Sequence, residues 1–410
     1  MKKLTTAILA ALILLLSGCS LFFPGLEDPD DESSGGSGID YSSEYKDNWC
    51  YLRLSPQLKA GYGEIYAAVI ENFDMDNVVT ITDSKLGTER EYNGLRIELT
   101  RPLKSREDAK RLYTAFVSDN PQLFYIGNTY SYEGYRSGRT DYYDVFCLVF
   151  TMTARERSIA TRRLEDAIFQ IRTSMISESP SDQFETELFL HDELARICSY
   201  ENRSSDTIDP IALYPTAFTA YGALVEGLAV CEGYSRAMQL LLNRMDIECT
   251  LVGGYDTKGV AHMWNLATID GRNYHLDLTW NDNADRLHHS YFNLTTEEIL
   301  KSHTIDSDNI GVDTCTAVNA NYYRRMGRFL DTVNRDEIAD TIAKAVRSGE
   351  MIIDLRFTKN TFAGAHLFIN NRELLMQKVD LKLEGTGFSM WSYDDYNVND
   401  TQHTLTIYKK

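Results

Sequence analysis

The stretch Gly227-Leu228-Ala229-Val230-Cys231-Glu232-Gly233-Tyr234-Ser235-Arg236-Ala237-Met238 decides how this chain is read. Beyond Cys231, apolar residues recur at Tyr234, Met238, Leu241, Leu242 and Met245. That is the spacing of one helical face, so Cys231 is predicted at or just inside a helix N-terminus. Unpaired backbone N–H groups and the positive end of the helix dipole favour an anion there. Thiolate is the reactive form of cysteine, and such a position promotes it. Taken alone the signal is weak, because a cysteine in apolar surroundings is usually a small core residue.

Working outward, the next informative stretch is Ala261-His262-Met263-Trp264-Asn265-Leu266-Ala267-Thr268-Ile269, followed by Asp270-Gly271 and a second apolar run to Trp280. Asp-Gly between two such runs predicts a β-hairpin. With those two residues as the turn, Ile269 faces Arg272, Trp264 faces Asp277 and His262 faces Thr279. His262 and Asp277 are then diagonal neighbours on one face, within reach of a hydrogen bond. His275 shares that face and is a less favoured alternative base. A thiol, an imidazole to take its proton and a carboxylate to orient the imidazole are the parts of nucleophilic acyl transfer.

The contexts of these residues are more specific than the residue types. Gly227 to Ser235, then His262-Met263-Trp264-Asn265, then Asp277-Leu278-Thr279-Trp280, in that order, strongly resemble the transglutaminase-like superfamily. Leu190-His191-Asp192-Glu193-Leu194 resembles the family's leading helix, and Tyr221-Gly222-Ala223-Leu224 the segment that enters the nucleophile helix. Tyr291-Phe292-Asn293 matches its closing strand. The resemblance covers about residues 185–300. Leu228, Leu278 and Asn281 depart from it, where a basic residue, Pro and Asp are frequent, and they bear on substrate preference more than on chemistry.

The resemblance implies an α+β chain whose central part is a papain-like transglutaminase core. Cys231 would attack a carboxamide, ester or peptide carbonyl, His262 would act as general base and then acid, and Asp277 would orient it. The Cys231 backbone N–H is one candidate oxyanion donor and Tyr221 a weaker one, while Trp264 and Trp280 would wall the site. No cofactor or metal is implied. The expected function is a membrane-anchored extracytoplasmic acyltransferase that cross-links proteins, or hydrolyses peptides or amides, through a Cys231 thioester. Its partner would be a protein or peptide outside the cytoplasm, with cell-wall peptide among the candidates. The alternative is a non-catalytic binding or assembly lipoprotein that retains the fold.

Composition narrows the classes. A formal charge of −19 disfavours nucleic-acid binding, which needs a basic surface. Of seven cysteines, Cys50, Cys147, Cys198, Cys249 and Cys315 fall into neither a disulfide framework nor a CxxC metal pattern. His191 beside Asp192 reads as a structural hydrogen-bonder, and His288 and His289 as members of a polar loop.

Five segments are expected. Residues 1–18 are a lipoprotein signal peptide and 19–40 a flexible acidic linker. Residues 41–180 form an N-terminal α+β module, 181–306 the transglutaminase-like domain, and 307–410 a small C-terminal α/β region. In the N-terminal module, residues 93–100 read as a strand, 105–118 as a helix, and two tyrosine-rich runs as a hairpin whose aromatics pack across strands. A long amphipathic helix follows, with Ile159, Leu164, Ile168 and Ile171 near one face.

At the N-terminus, Lys2 and Lys3 precede an apolar run too short to span a bilayer, which needs roughly 20 residues. Leu16-Ser17-Gly18-Cys19 resembles the lipobox of bacterial lipoproteins. That resemblance implies signal removal, diacylglyceryl attachment at Cys19 and anchorage outside the cytoplasm. Cys19→Ala is expected to release the protein or leave its precursor unprocessed in a membrane fractionation. A variant still firmly membrane-bound after signal cleavage would refute the lipid anchor.

Overall fold

The computed structural model describes residues 40–82, 89–201, 216–283, 286–387 and 392–409. Cys19, the signal and the linker up to residue 39 lie outside these. The chain has an α+β fold and divides into two compact units. One contains the residues through Phe116 together with Thr129–Ser158, and the other contains Val117–Asn128 and Ile159–Lys410. Among the described residues no helix is long and apolar enough to cross a membrane.

The first unit is built around α1 (Pro56–Glu71), β1 (Val78–Thr82), β2 (Glu89–Leu103) and most of α2 (Arg106–Asp119), with β3 (Ile126–Ser137) and β4 (Thr140–Phe150). The strands lie in the order β1-β2-β4-β3. Ser55 caps α1 by accepting the Leu58 N–H, and Pro56 supplies a pre-set first turn. Leu58, Tyr62, Ile65, Tyr66 and Val69 then recur on its buried face. The tyrosine-rich runs form the expected hairpin. Tyr135 stacks on Tyr142 at 5.3 Å and Tyr132 meets Tyr143 edge-on at 5.2 Å, so these rings largely satisfy one another.

The second unit begins with α3 (Ala154–Glu178), whose Leu164, Ile168 and Ile171 are buried. Ile159 departs from the expected face: it is 52% exposed, because a spacing of five residues before Leu164 places it roughly 140° around the helix. Next come α4 (Gln183–Ile197) and α5 (Cys231–Asn243), then the strands β5 (Cys249–Asp256), β6 (Ala261–Ile269) and β7 (Arg272–Leu276). They are followed by the single turn α6 (Leu278–Asn281) and by β8 (His303–Ile305). The sheet has the order β8-β5-β6-β7, with all pairs antiparallel.

The Asp270-Gly271 turn sets the register of this sheet. Both residues have positive φ, 50° and 71°, as a two-residue turn matched to strand twist requires. Ile269 pairs with Arg272 and Asn265 with Leu276, as the turn predicts.

The C-terminal part of the unit is a second layered structure. A sheet of β9 (Phe329–Leu330), β10 (Ile352–Phe357), β11 (Tyr393–Asn399) and β12 (Thr404–Lys409) has the order β9-β10-β12-β11. Three helices, Arg335–Arg347, Lys359–Asn370 and Arg372–Leu383, share its core through Ile338, Ile342, Phe368 and Val379 packed with Ile353, Leu355, Leu405 and Ile407. Asn334 caps the first of them through the Asp336 N–H.

One glycine controls how closely β8 approaches β5. A Cβ on Gly254 would meet the Thr304 carbonyl oxygen at 1.8 Å and the Trp264 ring at 2.9 Å. Backbone cannot yield as a flexible side chain can. Gly254→Ala is therefore expected to lower stability by about 1–3 kcal/mol through overpacking, read as a lower urea midpoint. An unchanged midpoint would show that this edge of the sheet is slack.

Candidate active site

Cys231 opens α5, with Val230 as an N-cap that offers no side-chain acceptor. The N-cap side chain therefore takes none of the first-turn N–H groups at the thiol's end of the helix. Ser235, one turn on, brings its Oγ to the Cys231 carbonyl at 2.8 Å and the Met263 carbonyl at 3.0 Å. Asn265 donates Nδ2–H to the Ser235 carbonyl at 2.9 Å. These polar contacts tie the nucleophile helix to β6 directly beside His262.

His262 pairs across the sheet with Gly254. Its Nε2 meets Asp277 Oδ2 at 2.8 Å, and the neighbouring Cys231 thiol acts on its ring as well. With Nε2 committed to the carboxylate, Nδ1 is the nitrogen left for sulfur. The three residues singled out in the sequence are thus brought together by α5, β6 and the end of β7.

The strand expected to run to Trp280 stops at Leu276. The Asp277 N–H is taken by the Tyr291 carbonyl at 3.0 Å, and Asp277 Oδ1 accepts the Trp280 N–H at 3.1 Å. Asp277 is therefore the N-cap of α6, and the chain leaves the hairpin before Thr279 can face His262. Tyr291-Phe292-Asn293 is likewise a turn rather than a strand, and only Leu294 bridges back to His275.

Asp277 is fully buried. Burial alone would push its carboxyl up, but the His262 charge and hydrogen bonds from His262 and His303 outweigh this and hold it well below the usual carboxylate range. Burial works against a charged His262, yet Asp277 and Cys231 together raise it to about 10. Trp264, fully buried, lies nearly parallel to His262 at 6.0 Å, and Trp280 sits 5.7 Å from it. Both indoles lie against the imidazole, Trp264 as a fully buried core residue.

Cys231 is partly exposed, while the other described cysteines, Cys50, Cys147, Cys198, Cys249 and Cys315, are buried. Burial pushes Cys198 up to about 12 and Cys315 to about 11. His275 is not placed as a base. Its Nδ1 accepts the Trp264 N–H, its Nε2 meets Thr296 Oγ1, and burial lowers it to about 4.

Tyr221 stacks on Phe124 at 4.8 Å with Arg163 over its ring. Tyr200 is a tyrosine that feels the charge of Cys231 and Asp277, and burial together with those charges raises it. It reaches the site because Ser199 and Tyr200 pair in parallel with Leu228 and Ala229, a pairing no local pattern announces. His303 was also invisible to pattern reading. Its Nε2 meets Asp277 Oδ2 at 3.0 Å, bringing a second imidazole to the same oxygen.

A second carboxylate–histidine cluster lies elsewhere in this unit. His288 and His289 are buried, not in a polar loop. His289 Nδ1 meets Asp354 Oδ2 at 2.5 Å and its Nε2 meets Asp192 Oδ1 at 3.0 Å. His191 donates Nδ1–H to Asp192 at 2.7 Å and accepts from Asn281. The partners come from α4 and β10, too far along the chain to be seen from the His-His pair.

Both clusters, His191-Asp192-His289 and His262-Asp277-His303, gather three atoms able to bind a metal, two imidazole nitrogens and a carboxylate oxygen. A tetrahedral ion at ~2.0–2.1 Å from a nitrogen and an oxygen holds them about 3.3 Å apart. The N···O separations of 2.7 to 3.0 Å are those of direct hydrogen bonds. The donor sets as arranged therefore fit protons, not an ion.

No protein-family model and no curated protein matches the chain. Among solved structures, it is similar to a provisionally named cysteine protease from Cytophaga hutchinsonii, at 19% identity over 23% of this chain and 30% of that one, with a TM-score of 0.19. It is also similar to a TGase at 14% identity over 66% and 73%, with a TM-score of 0.29. A provisionally named protease from Parabacteroides distasonis ATCC 8503 matches at 12% identity over 37% and 36%, with a TM-score of 0.20. This chain thus spans about a third of the length of the first and third of these.

His289 gives the unit a pH dependence. Burial opposes its charge, but Asp192 and Asp354 raise it to about 9 from an ordinary 6.5. The stabilisation is complete below about pH 6.5 and is lost as pH rises through about 9. Urea midpoints are expected to fall over that alkaline range in the native protein and to fall less in His289→Gln. Equal slopes in the two would remove His289 from the account.

Proposed function

We propose that this protein is a transglutaminase-like cysteine acyl-transfer enzyme, lipid-anchored outside the cytoplasm through Cys19. One observation carries the catalytic part: His262 Nε2 is committed to a buried Asp277, leaving Nδ1 to the partly exposed thiol of Cys231. A carboxylate that accepts Nε2–H selects the tautomer whose Nδ1 lone pair can take the thiol proton. The motif order around the three residues supports the same reading.

In this mechanism the Cys231 proton passes to His262 Nδ1, and the thiolate attacks the carbonyl carbon of an amide. The tetrahedral oxyanion is met by N–H donors at the start of α5. As the C–N bond breaks, His262 returns the proton to the leaving amine, and a Cys231 thioester remains. Water or a second amine then gives its proton to His262 while attacking the thioester, and the proton ends on sulfur as the product leaves. Asp277 stays ionised throughout and stabilises the imidazolium that forms. Trp264 and Trp280 keep that ion pair away from bulk water, which strengthens it.

The substrate is proposed to be a protein or peptide met outside the cytoplasm. Hydrolysis and amine transfer proceed through the same thioester and differ only in which acceptor reaches it.

Iodoacetamide is expected to modify Cys231 before Cys147, Cys198, Cys249 or Cys315 at neutral pH, since thiolate content and access set the rate. Asp277→Asn should keep the fold but favour the wrong tautomer, slowing Cys231 acylation by orders of magnitude. Peptide mapping that finds Cys231 inert while buried thiols react would overturn the assignment and favour a binding protein.

A further inference from the structure

The Asp277 carboxylate serves two imidazoles, one of which, His262, also interacts with the Cys231 thiol. Oδ2 receives His262 Nε2 at 2.8 Å and His303 Nε2 at 3.0 Å, while Oδ1 receives the Trp280 N–H at 3.1 Å. His303 is itself fully buried. Its Nδ1 lies 2.9 Å from Ser302 Oγ. A carboxylate can only accept, so His303 Nε2 is the donor to Asp277, while Ser302 Oγ is the partner at Nδ1 and also lies 3.4 Å from the Ile299 carbonyl. Its ring is held by Trp280 at 4.3 Å and Trp264 at 4.9 Å, and its strand sits close to β5 because Gly254 has no Cβ.

We propose that His303 is a positioning residue for the Cys231–His262 pair, fixing the Asp277 carboxylate and sharing the oxygen that His262 uses, so that His262 can give up its proton to a leaving amine. The inference rests on the acyl-transfer reading above. Its basis is that a hydrogen bond to an anion stabilises the charge and makes the anion a weaker acceptor toward its next donor. Without His303, Asp277 would be both freer to rotate and more basic. His262 would then hold its proton too tightly to act as an acid at neutral pH.

Other ionisable groups also face this pair. Cys231 and Asp256 act on His262, while Tyr200, Tyr291 and His288 feel Asp277 from the other sides. Among the described residues, the side chains hydrogen-bonded to Asp277 are the two imidazoles.

The test is the pH dependence of Cys231 alkylation by iodoacetamide, followed by peptide mapping in the full mature chain. The native protein, His303→Phe and His303→Gln are compared. Phe keeps the aromatic packing and removes the donor, whereas Gln restores an N–H. The alkaline inflection, where His262 loses its proton beside the thiolate, is expected to move up by about half a pH unit or more in His303→Phe and to return toward the native value in His303→Gln. If His303→Phe does not fold, Ser302→Ala removes the hydroxyl that holds His303 Nδ1, and a smaller shift in the same direction is expected.

A folded His303→Phe or Ser302→Ala protein with the native inflection, or one shifted downward, overturns the positioning role alone. A native protein whose Cys231 shows no such pH profile overturns the acyl-transfer reading and the role of His303 with it.

Discussion

The second unit is organised around one buried negative charge. Asp277 has no exposed surface, and an unpaired ion in such a place costs several kcal/mol. Its two oxygens are satisfied by donors from three separate pieces of chain: His262 on β6, His303 on β8 and the backbone of Trp280 in α6. Each donor fixes the position of the element that carries it. The edge strand cannot drift from the sheet, nor α6 unwind, without leaving the carboxylate short of a partner.

The local sequence makes that convergence possible through small steric and torsional devices. Asp270 and Gly271 adopt positive φ and lock the hairpin register, and a slip of one residue would send His262 to the far face. Gly254 clears the space that β8 occupies. Ser235 and Asn265 satisfy backbone carbonyls across the junction of α5 and β6, so the thiol and the imidazole are held by hydrogen bonds between their own supporting elements. Geometry at the sulfur therefore depends on residues one helical turn or one strand position away.

This explains what was legible in the sequence. The helix after Cys231 and the hairpin follow from periodicity and one turn dipeptide, which act over short distances, whereas His262 meets Asp277 only after the chain has left the paired strand at Leu276. The strand predicted through Trp280 failed because Asp277 is recruited as a helix cap and its N–H as a partner for Tyr291. Both contacts come from groups whose position depends on the folded chain. His303 and Tyr200 were missed for a related reason. Their places are set by β8 pairing with β5, and by Ser199 and Tyr200 pairing with Leu228 and Ala229. Pairings that join segments so distant in sequence leave no periodic trace in either. The burial of His289 between Asp192 and Asp354 belongs to the same class.

The two carboxylate–histidine clusters use the same residue types in different proportions. His289 has a carboxylate on each nitrogen, which commits both N–H groups and fixes a cation in place. Thr406 adds a further hydrogen bond to Asp354 on its outer side. Such an imidazole holds its proton and joins α4 to β10. His262 shares a single carboxylate oxygen with a second imidazole and has a thiol at its other nitrogen. His262 holds its proton at least as firmly as His289, raised to about 10 against about 9, so the carboxylate count does not separate the two clusters. What separates them is the thiol beside His262, which gives that proton somewhere to go. The sulfur lies beside the imidazole with the shared carboxylate, and that placement is why the proposed acyl transfer is put at this cluster rather than the other.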